Sequence, residues 1–424
     1  MGTLPIFFLQ MFVILAACRL FGWLVRRWLR QPPVIGEMIA GVVLGPSLLG
    51  VLAPGVQAFL FPPESKPVLY VVAQLGIGLY MFLVGLDFRS DHFKANAPSA
   101  VAVSVSGIVV PFIVAIAGTP FLMSIPGLFA ASVSQFNATL FLGAAIAITA
   151  FPVLARIIQE RGLQGSMIGT LSLSAAAIGD AIAWCVLAVV LASLGAGPGV
   201  AVIAIAGGLI LSAVLIFLGP RLFAPLGRLA EREQASGQPL SSTVLAAALL
   251  LFTLSAWVAD AIGLHAVFGG FLIGTAMPRG VFALRLRQLL EPFTVVFLLP
   301  VFFTYSGLNT QLTMVNTPRL LLIALGVLAA SIFAKFVACW AAARLSGQDN
   351  RSALGIGALM NARGLTELII LNIGLQAGII GSALFSMLVL MAIVTTLMAS
   401  PLFERVYGRA ARLRGELGSL NAGR

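Results

Sequence analysis

The chain has 424 residues, of which 60% are hydrophobic and 9% are charged, and its mean hydropathy is +1.07. A soluble domain of this length could not bury so much apolar surface, so the composition excludes a soluble protein and predicts an all-α polytopic membrane protein. The formal net charge of +11 is explained by basic cytoplasmic loops beside anionic lipid and does not indicate a nucleic-acid partner. The three cysteines have no ligand spacing, which indicates neither a disulfide framework nor a metal site.

Apolar runs of about 20 residues, the length that crosses a bilayer, define the predicted topology. We expect about thirteen transmembrane helices. In chain order the predicted spans are 4–25, 33–53, 66–86, 97–118, 138–160, 166–195, 197–219, 241–260, 264–278, 291–308, 319–345, 351–376 and 380–400.

The lysines and arginines orient these spans, because cytoplasmic loops carry an excess of basic residues. Most of the 25 fall on one side of the predicted membrane, in the segments 26–30, 89–94, 156–161, 221–232, 279–287, 344–351 and 405–424. Lys66 and Arg319 fall on the other side. The N-terminus is therefore predicted outside and the C-terminus in the cytoplasm.

Several polar features lie near span ends. Glu37, one turn into span 2, is expected either to line an inner vestibule or to complement the helix dipole. Residues 220–240 are predicted to form a charged loop that joins two halves of the chain. His265 begins span 9, and we interpret it as a hydrogen-bonded structural residue, with a proton-relay role as the alternative.

Spans 5 and 6 combine two features that are costly in lipid. Pro152 lacks an N–H and clashes with the preceding turn, so span 5 must kink or unwind and leave backbone oxygens free. Asp180 lies near the middle of span 6, where an ionisable residue usually marks an ion or proton path. An unwound segment beside a buried carboxylate suggests cation binding.

Spans 11 and 12 carry the matching features in the second half. Lys335 lies too deep in span 11 to reach the surface, so a buried partner is expected. Asn361, Arg363 and Gly364 interrupt span 12 as Thr149 and Pro152 interrupt span 5. Arg363 and Glu367 are four residues apart and can neutralise each other on one helix face.

The two interruptions occupy corresponding places in spans 4–6 and 11–13. The second interruption comes seven spans after the first. This odd offset gives the two triplets opposite orientations, the inverted-repeat arrangement of secondary transporters with a midplane site. Where two broken helices cross, four half-helix ends meet, and fixed side-chain charge is needed to balance their dipoles. Arg363, with the polar groups of Thr149 and Asn361, is expected to supply that balance.

Five segments, in this order, resemble motifs of the monovalent cation:proton antiporter-2 family of the sodium/proton exchanger superfamily. They are QPPVIGEMIAGVVLGPSLLG, ITAFPVLARIIQERGL, SLSAAAIGDAIAWCVLAVV, GLHAVFGGFLIG and MNARGLTELIILNIG. The resemblance implies a homodimer in the lipid bilayer, with a dimerising scaffold and a mobile core that moves by an elevator motion. It matches Asp180 to the ion-binding and proton-binding aspartate, Lys335 to the core lysine, and Thr149, Pro152 and Arg363 to the crossed helices.

The resemblance also implies a division of the chain. Scaffold helices 1–3 would occupy residues 1–95 and core helices 4–6 residues 96–196, followed by a linking helix 7 and a cytoplasmic loop at 197–240. Scaffold helices 8–10 would occupy 241–310, core helices 11–13 residues 311–402, and a short basic tail 403–424. The expected location is a bacterial inner or plasma membrane.

One departure from the family pattern concerns the site itself. The family commonly has aspartate or asparagine immediately before the ion-binding aspartate, whereas this chain has Gly179. The partner of Lys335 is therefore open: it is either Asp180 or no carboxylate. Stoichiometry and the choice between sodium and potassium are open as well.

The leading hypothesis is exchange of Na⁺ or K⁺ for protons by alternating access, in which Asp180 binds either a proton or a cation. Thr149, free carbonyls beside Pro152 and water would complete the cation shell. No enzymatic activity, cofactor or metal is expected apart from the alkali cation at Asp180. The alternatives are transport of another small solute with Gly179 enlarging the site, a non-transporting membrane sensor, and intramembrane aspartyl proteolysis, which needs two facing carboxylates.

Overall fold

The computed structural model describes residues 3–29, 31, 33–88, 90–192, 197–308 and 317–413. These residues are almost entirely helical, which confirms the predicted class. The α-helices are, in chain order, α1 (Thr3–Leu24), α2 (Pro33–Leu44), α3 (Leu49–Leu52), α4 (Pro54–Leu60), α5 (Lys66–Asp87), α6 (Ser90–Met123), α7 (Gln135–Ala147), α8 (Phe151–Glu160), α9 (Met167–Leu191), α10 (Pro198–Ala213), α11 (Gly219–Ala235), α12 (Ser242–Ala261), α13 (Ala266–Ala276), α14 (Val281–Phe293), α15 (Leu299–Leu308), α16 (Pro318–Leu345), α17 (Asn350–Leu359), α18 (Leu365–Gln376) and α19 (Ser382–Leu413).

Every predicted span contains one of these helices or a pair of them. Eleven continuous or paired helices of the described chain are long and apolar enough to cross a membrane. The predicted ninth span holds the shorter α13, of 11 residues, and the predicted twelfth is divided into α17 and α18. The protein is therefore a multi-pass integral membrane protein, while the count of thirteen crossings stays a prediction.

Residues 220–235 are not part of the loop that their charge suggested, and the non-helical segment is confined to residues 236–241. The chain continues from α10 through a wide π-helical turn, Val214–Leu218, into α11 and stays helical to Ala235. The prediction of a loop was wrong there, because charged residues at helical spacing are compatible with a helix once it leaves the apolar zone. Similarly, α19 runs on to Leu413, into the predicted tail, and residues 414–424 lie outside the described chain.

Proline explains the position of two wide turns. Pro220 and Pro300 each follow a π-helical turn, Val214–Leu218 and Thr294–Leu298, by two residues. A proline cannot donate to the carbonyl four residues before it and clashes with that carbonyl, which in both cases belongs to the wide turn. The local widening lets the two long helices continue past their prolines.

The helices of the described chain pack in two groups. In one, α5 packs against α13 and α15, α2 against α1 and α15, and α12 against α13. In the other, α6 packs against α7, α9 and α16, and α17 packs against α16 and α19. The broken helix pairs α7/α8 and α17/α18 contact each other through their interruptions.

Candidate functional site

The first helix break lies immediately before Pro152. The helix α7 ends at Ala147, Ile148 and Ala150 have extended backbone angles, and α8 begins at Phe151. Pro152 occupies the first turn of α8, where its missing N–H has no intrahelical partner to lose. The predicted unwinding of span 5 is confirmed, and it falls on residues 148–150.

The second break separates α17 from α18. The first helix ends at Leu359 and the second begins at Leu365, so Asn361, Arg363 and Gly364 lie in the interruption. Glu367 falls in the first turn of α18, where a carboxylate complements the helix dipole. The interruption of span 12 was therefore predicted at the right residues.

The two breaks cross in direct contact. The Ala150 N–H donates to the Ala362 carbonyl at 2.9 Å, and the Thr149 hydroxyl donates to the Met360 carbonyl at 3.0 Å. A Cβ atom added to Gly364 would lie 2.6 Å from Val153 Cγ2, so only glycine allows this approach. Thr149 is buried, and its oxygen keeps lone pairs that can bind a cation.

Two buried cations neutralise the end of α7. Arg363 donates to the carbonyls of Ala145 at 2.9 Å and Ile146 at 2.6 Å, and the Lys335 ammonium donates to the carbonyl of Ala147. Three successive carbonyls at a helix C-terminus thus bind two positive side chains, which is where the helix dipole favours them. The buried partner expected for Lys335 is a backbone oxygen.

Glu367 and Asn361 keep free oxygens at the crossing. Arg363 lies 3.4 Å from Glu367, and both side chains are fully buried, as their spacing predicted. The other carboxylate oxygen of Glu367 has no hydrogen-bond partner. Asn361 donates to the Gly357 carbonyl at 3.0 Å, and its side-chain oxygen is also unpartnered.

Asp180 lies on α9, which packs against α6, α8 and α17. Its side chain is 1% exposed, and its Oδ1 atom has no hydrogen-bond partner. Among the described residues no ion pair involves Asp180. A buried carboxyl oxygen without a partner is costly unless it is protonated or binds a cation.

The position before Asp180 faces a neighbouring helix. A Cβ atom added to Gly179 would lie 3.4 Å from Ser104 Oγ on α6. The Ser104 hydroxyl is buried and unpartnered, and so is the hydroxyl of Ser172, which lies two turns before Gly179 on α9. Because of the departure at Gly179, no side chain of that position lies opposite the Ser104 hydroxyl between α6 and α9. The position therefore supplies no second carboxylate beside Asp180.

Two polar residues near the site were missed by sequence reasoning. The Thr396 hydroxyl on α19 accepts from the Arg363 N–H at 3.0 Å and lies 2.6 Å from the Arg363 carbonyl oxygen. A neighbouring helix therefore fixes the backbone of the second break. Ser104 lies opposite Gly179. The only signal for either was a hydroxyl in an apolar span, which usually bonds its own helix.

Glu37 makes a contact that neither of its predicted roles included. It lies 4.0 Å from Arg156 on α8, which also contacts Glu160 at 2.7 Å. Glu37 is buried, so it takes part in an ion-pair cluster between α2 and α8.

Crossed broken helices with buried charges at the crossing, in a multi-pass helical protein, define the architecture of a secondary transporter. A family model described as "Sodium/hydrogen exchanger, transmembrane" matches residues 12–406. The chain belongs to the sodium/hydrogen exchanger family.

Individual relatives agree with this assignment. The "Na(+)/H(+) antiporter NhaS4" of Synechocystis is 38% identical over 96% of this chain and 98% of its own length. The "K(+)/H(+) antiporter 1" of Saccharomyces cerevisiae is 32% identical over 96% of this chain. This chain spans about half the length of that yeast relative, 47%.

A solved structure shows the same fold. The sodium proton antiporter MjNhaP1 from Methanocaldococcus jannaschii matches with a TM-score of 0.65 at 15% identity, covering 97% of this chain and 99% of that one. The predicted family and the predicted antiporter-like fold are therefore confirmed.

Proposed function

We propose that this protein exchanges a monovalent cation, Na⁺ or K⁺, for protons by alternating access, with Asp180 as the shared binding group. The observation that carries the proposal is the state of this carboxyl group: it is buried, its Oδ1 atom is unpartnered, and no described cation pairs with it. A proton and an alkali cation are the two partners that such an oxygen can take from either solution.

The other buried charges support this assignment because they are already engaged. Lys335 and Arg363 bind the carbonyls at the end of α7, and Arg363 also pairs with Glu367. Binding at Asp180 is then competitive, since one carboxylate cannot hold a proton and a cation together. This competition couples the two fluxes.

The cation needs more oxygens than one carboxylate supplies. Thr149 Oγ1 has free lone pairs, and the Asn361 side-chain oxygen has no partner. We assign these two groups, with water and backbone carbonyls of the first break, to the remaining shell. The relatives named Na⁺/H⁺ and K⁺/H⁺ antiporters support both ions as candidates.

A movable core accounts for alternating access. The packing groups support a scaffold of residues 1–95 and 241–310 and a core of residues 96–196 and 311–402. We assign dimerisation to the scaffold, which stays still while the core moves. The distribution of basic residues supports an external N-terminus and a cytoplasmic C-terminus. The proposed location is a bacterial plasma membrane.

One titrating carboxylate is suited to an exchange of one proton for one cation. Such an exchange moves no net charge, so the membrane potential does not drive it. If a net charge did move, the potential would contribute about 2.3 kcal/mol per 100 mV.

The test uses purified protein in proteoliposomes with an imposed pH gradient. Addition of Na⁺ or K⁺ should collapse the gradient in the native protein, and Asp180→Asn should abolish the response. Glu64→Gln is the matched control, because Glu64 is an exposed carboxylate away from the crossing. A folded native protein that responds to neither cation would overturn the proposal and favour another solute or a sensor.

A further inference from the structure

One turn beyond Asp180, an aromatic pair joins α9 to α13. The rings of Trp184 and His265 are stacked, with centroids 5.1 Å apart and planes 22° apart. Residues four apart on a helix share a face, so Trp184 lies beside Asp180. Trp184 is 7% exposed, and its indole N–H lies beside the Asp180 carboxyl group, so the ring covers the proposed ion site.

His265 is fixed in one protonation state by the start of α13. Its Nδ1 atom accepts from the Val267 N–H at 3.3 Å as the helix N-cap. The neutral tautomer with its proton on Nε2 is the form that allows this contact. A second proton would set one N–H against another and place positive charge at a helix N-terminus, where the dipole opposes it.

The surroundings of His265 leave it open to titration from one side. It is partly exposed, whereas Trp184 and Asp180 are buried. Among the described residues, Asp260 at the end of α12 is the charged group that acts on His265, and Tyr70 of α5 lies in the field of the same carboxylate. The helix α9 contributes the uncharged indole.

We propose that Trp184 and His265 form a gate over Asp180 on the outer side of the membrane, and that protonation of His265 from the outer solution opens it. The inference rests on the proposed exchange function and on the proposed external N-terminus, which directs α9 from the cytoplasm outward through Asp180 and then Trp184. A protonated His265 loses its contact with the Val267 N–H, the ring turns away from the helix end, and the stack opens.

The gate also contacts both packing groups. Trp184 is on α9 and His265 is on α13, which pack in different groups of helices. A relative movement of these groups therefore breaks the stack. The protonation state of His265 therefore biases the movement of the two packing groups that exposes Asp180.

The transport test uses vesicles of known orientation, with the external pH varied at a fixed internal pH. Native exchange should rise only when the external pH falls below about 6.5, the ordinary pKa of histidine, because the Val267 N–H and the helix dipole oppose a second proton. In His265→Asn, asparagine still caps α13 but neither stacks nor titrates, so exchange should stay at the high acidic rate throughout. Trp184→Ala should behave alike.

Matched controls are present in the chain. His92→Asn changes the other histidine, and Trp257→Ala changes an exposed tryptophan of α12. Both should keep the native profile. Native-like pH dependence in His265→Asn would overturn the gate but leave the exchange function intact, whereas absence of cation-dependent exchange in the native protein would overturn the proposed function.

A second readout needs no transport. Opening of the stack removes the imidazole from the indole face and lets water approach it, so the emission maximum of the native protein in detergent should shift to longer wavelength on acidification. The shift should disappear in Trp184→Phe and in His265→Asn and persist in Trp257→Phe. An acid shift that is equal in the native protein and in Trp184→Phe would show that this ring pair does not open with pH.

Discussion

At the scale of single residues, the site is organised by what each charged side chain already binds. Arg363 and Lys335 are held by the carbonyls of Ala145, Ile146 and Ala147, and charge-assisted bonds of this kind contribute about 1.5–3 kcal/mol each. Asp180 has no comparable partner. The difference supports the proposal that the two buried cations belong to the framework and that Asp180 exchanges its partner.

Gly364 should tolerate no side chain. In Gly364→Ala the new Cβ atom would lie 2.6 Å from Val153 Cγ2, and overpacking of this kind costs about 1–3 kcal/mol. Thermal unfolding in detergent should show the loss. The same change at Gly326, where a Cβ atom meets nothing within 4 Å, should be nearly neutral, and adding Val153→Ala to Gly364→Ala should recover part of the loss. Equal stability of the two glycine variants would contradict the prediction.

Gly179 should accept a carboxylate. A Cβ atom there makes an ordinary contact with Ser104 Oγ at 3.4 Å, so Gly179→Asp should fold. The added group places a second proton site beside Asp180, and exchange should become sensitive to the membrane potential. A potential imposed with a potassium ionophore during Na⁺-driven exchange measures this, with Gly179→Ala as the uncharged control. Potential-independent exchange in Gly179→Asp would show that the second carboxylate stays protonated.

At the scale of helices, the interrupted pair α17 and α18 depends on the continuous helix α19. The break between α17 and α18 leaves the backbone of Arg363 without helical partners, and Thr396 of α19 bonds both its N–H and its carbonyl. Buried backbone groups need such partners because no water reaches them. The uninterrupted α19 therefore holds the position of the crossing.

Thr396→Val should weaken the crossing. The Thr396 hydroxyl accepts from the Arg363 N–H and shares its proton between the carbonyls of Arg363 and Ala392. The change leaves the buried Arg363 N–H unpaired, which costs about 1–3 kcal/mol, and both stability and exchange rate should fall. Thr395→Val is the matched control, because the Thr395 hydroxyl bonds only carbonyls of its own helix among the described residues. Thermal unfolding of the two variants measures the difference, and an equal effect would show that Thr396 acts only within α19.

At the scale of the whole molecule, α8 connects the two packing groups. Gln159 accepts from the Tyr80 hydroxyl on α5 at 2.8 Å and donates to Glu291 on α14. Glu160 accepts from the Val34 N–H at 3.2 Å. Any movement of one packing group relative to the other must break these partly buried polar contacts, so they stabilise the conformation seen here.

Tyr80→Phe should loosen this connection while keeping the packing of the ring. Loss of one buried hydrogen bond costs about 1 kcal/mol, roughly fivefold in the local opening equilibrium. Hydrogen–deuterium exchange of the α8 amides should accelerate accordingly. Thr253→Val, at a hydroxyl that bonds its own helix, should leave α8 unchanged. Unaltered exchange in Tyr80→Phe would mean that the contact does not hold α8.

Much of this protein could be predicted from its sequence because the deciding properties are local. Apolar runs set the spans in a bilayer, and Pro152 and Asn361–Gly364 indicated the two interruptions, since a missing N–H or a mid-span charge acts within one turn. The sequence by itself also singled out Asp180, because a carboxylate in an apolar helix is costly in lipid and usually marks an ion or proton path.

Only the tertiary structure decided which groups meet. The sequence left Lys335 between Asp180 and no carboxylate, and the structure brings it to the Ala147 carbonyl. Thr396 and Ser104 could not be recognised, because a hydroxyl in a span bonds its own helix unless another backbone or a gap lies opposite. These choices depend on where helices far apart in the chain cross, and no local pattern specifies the crossing.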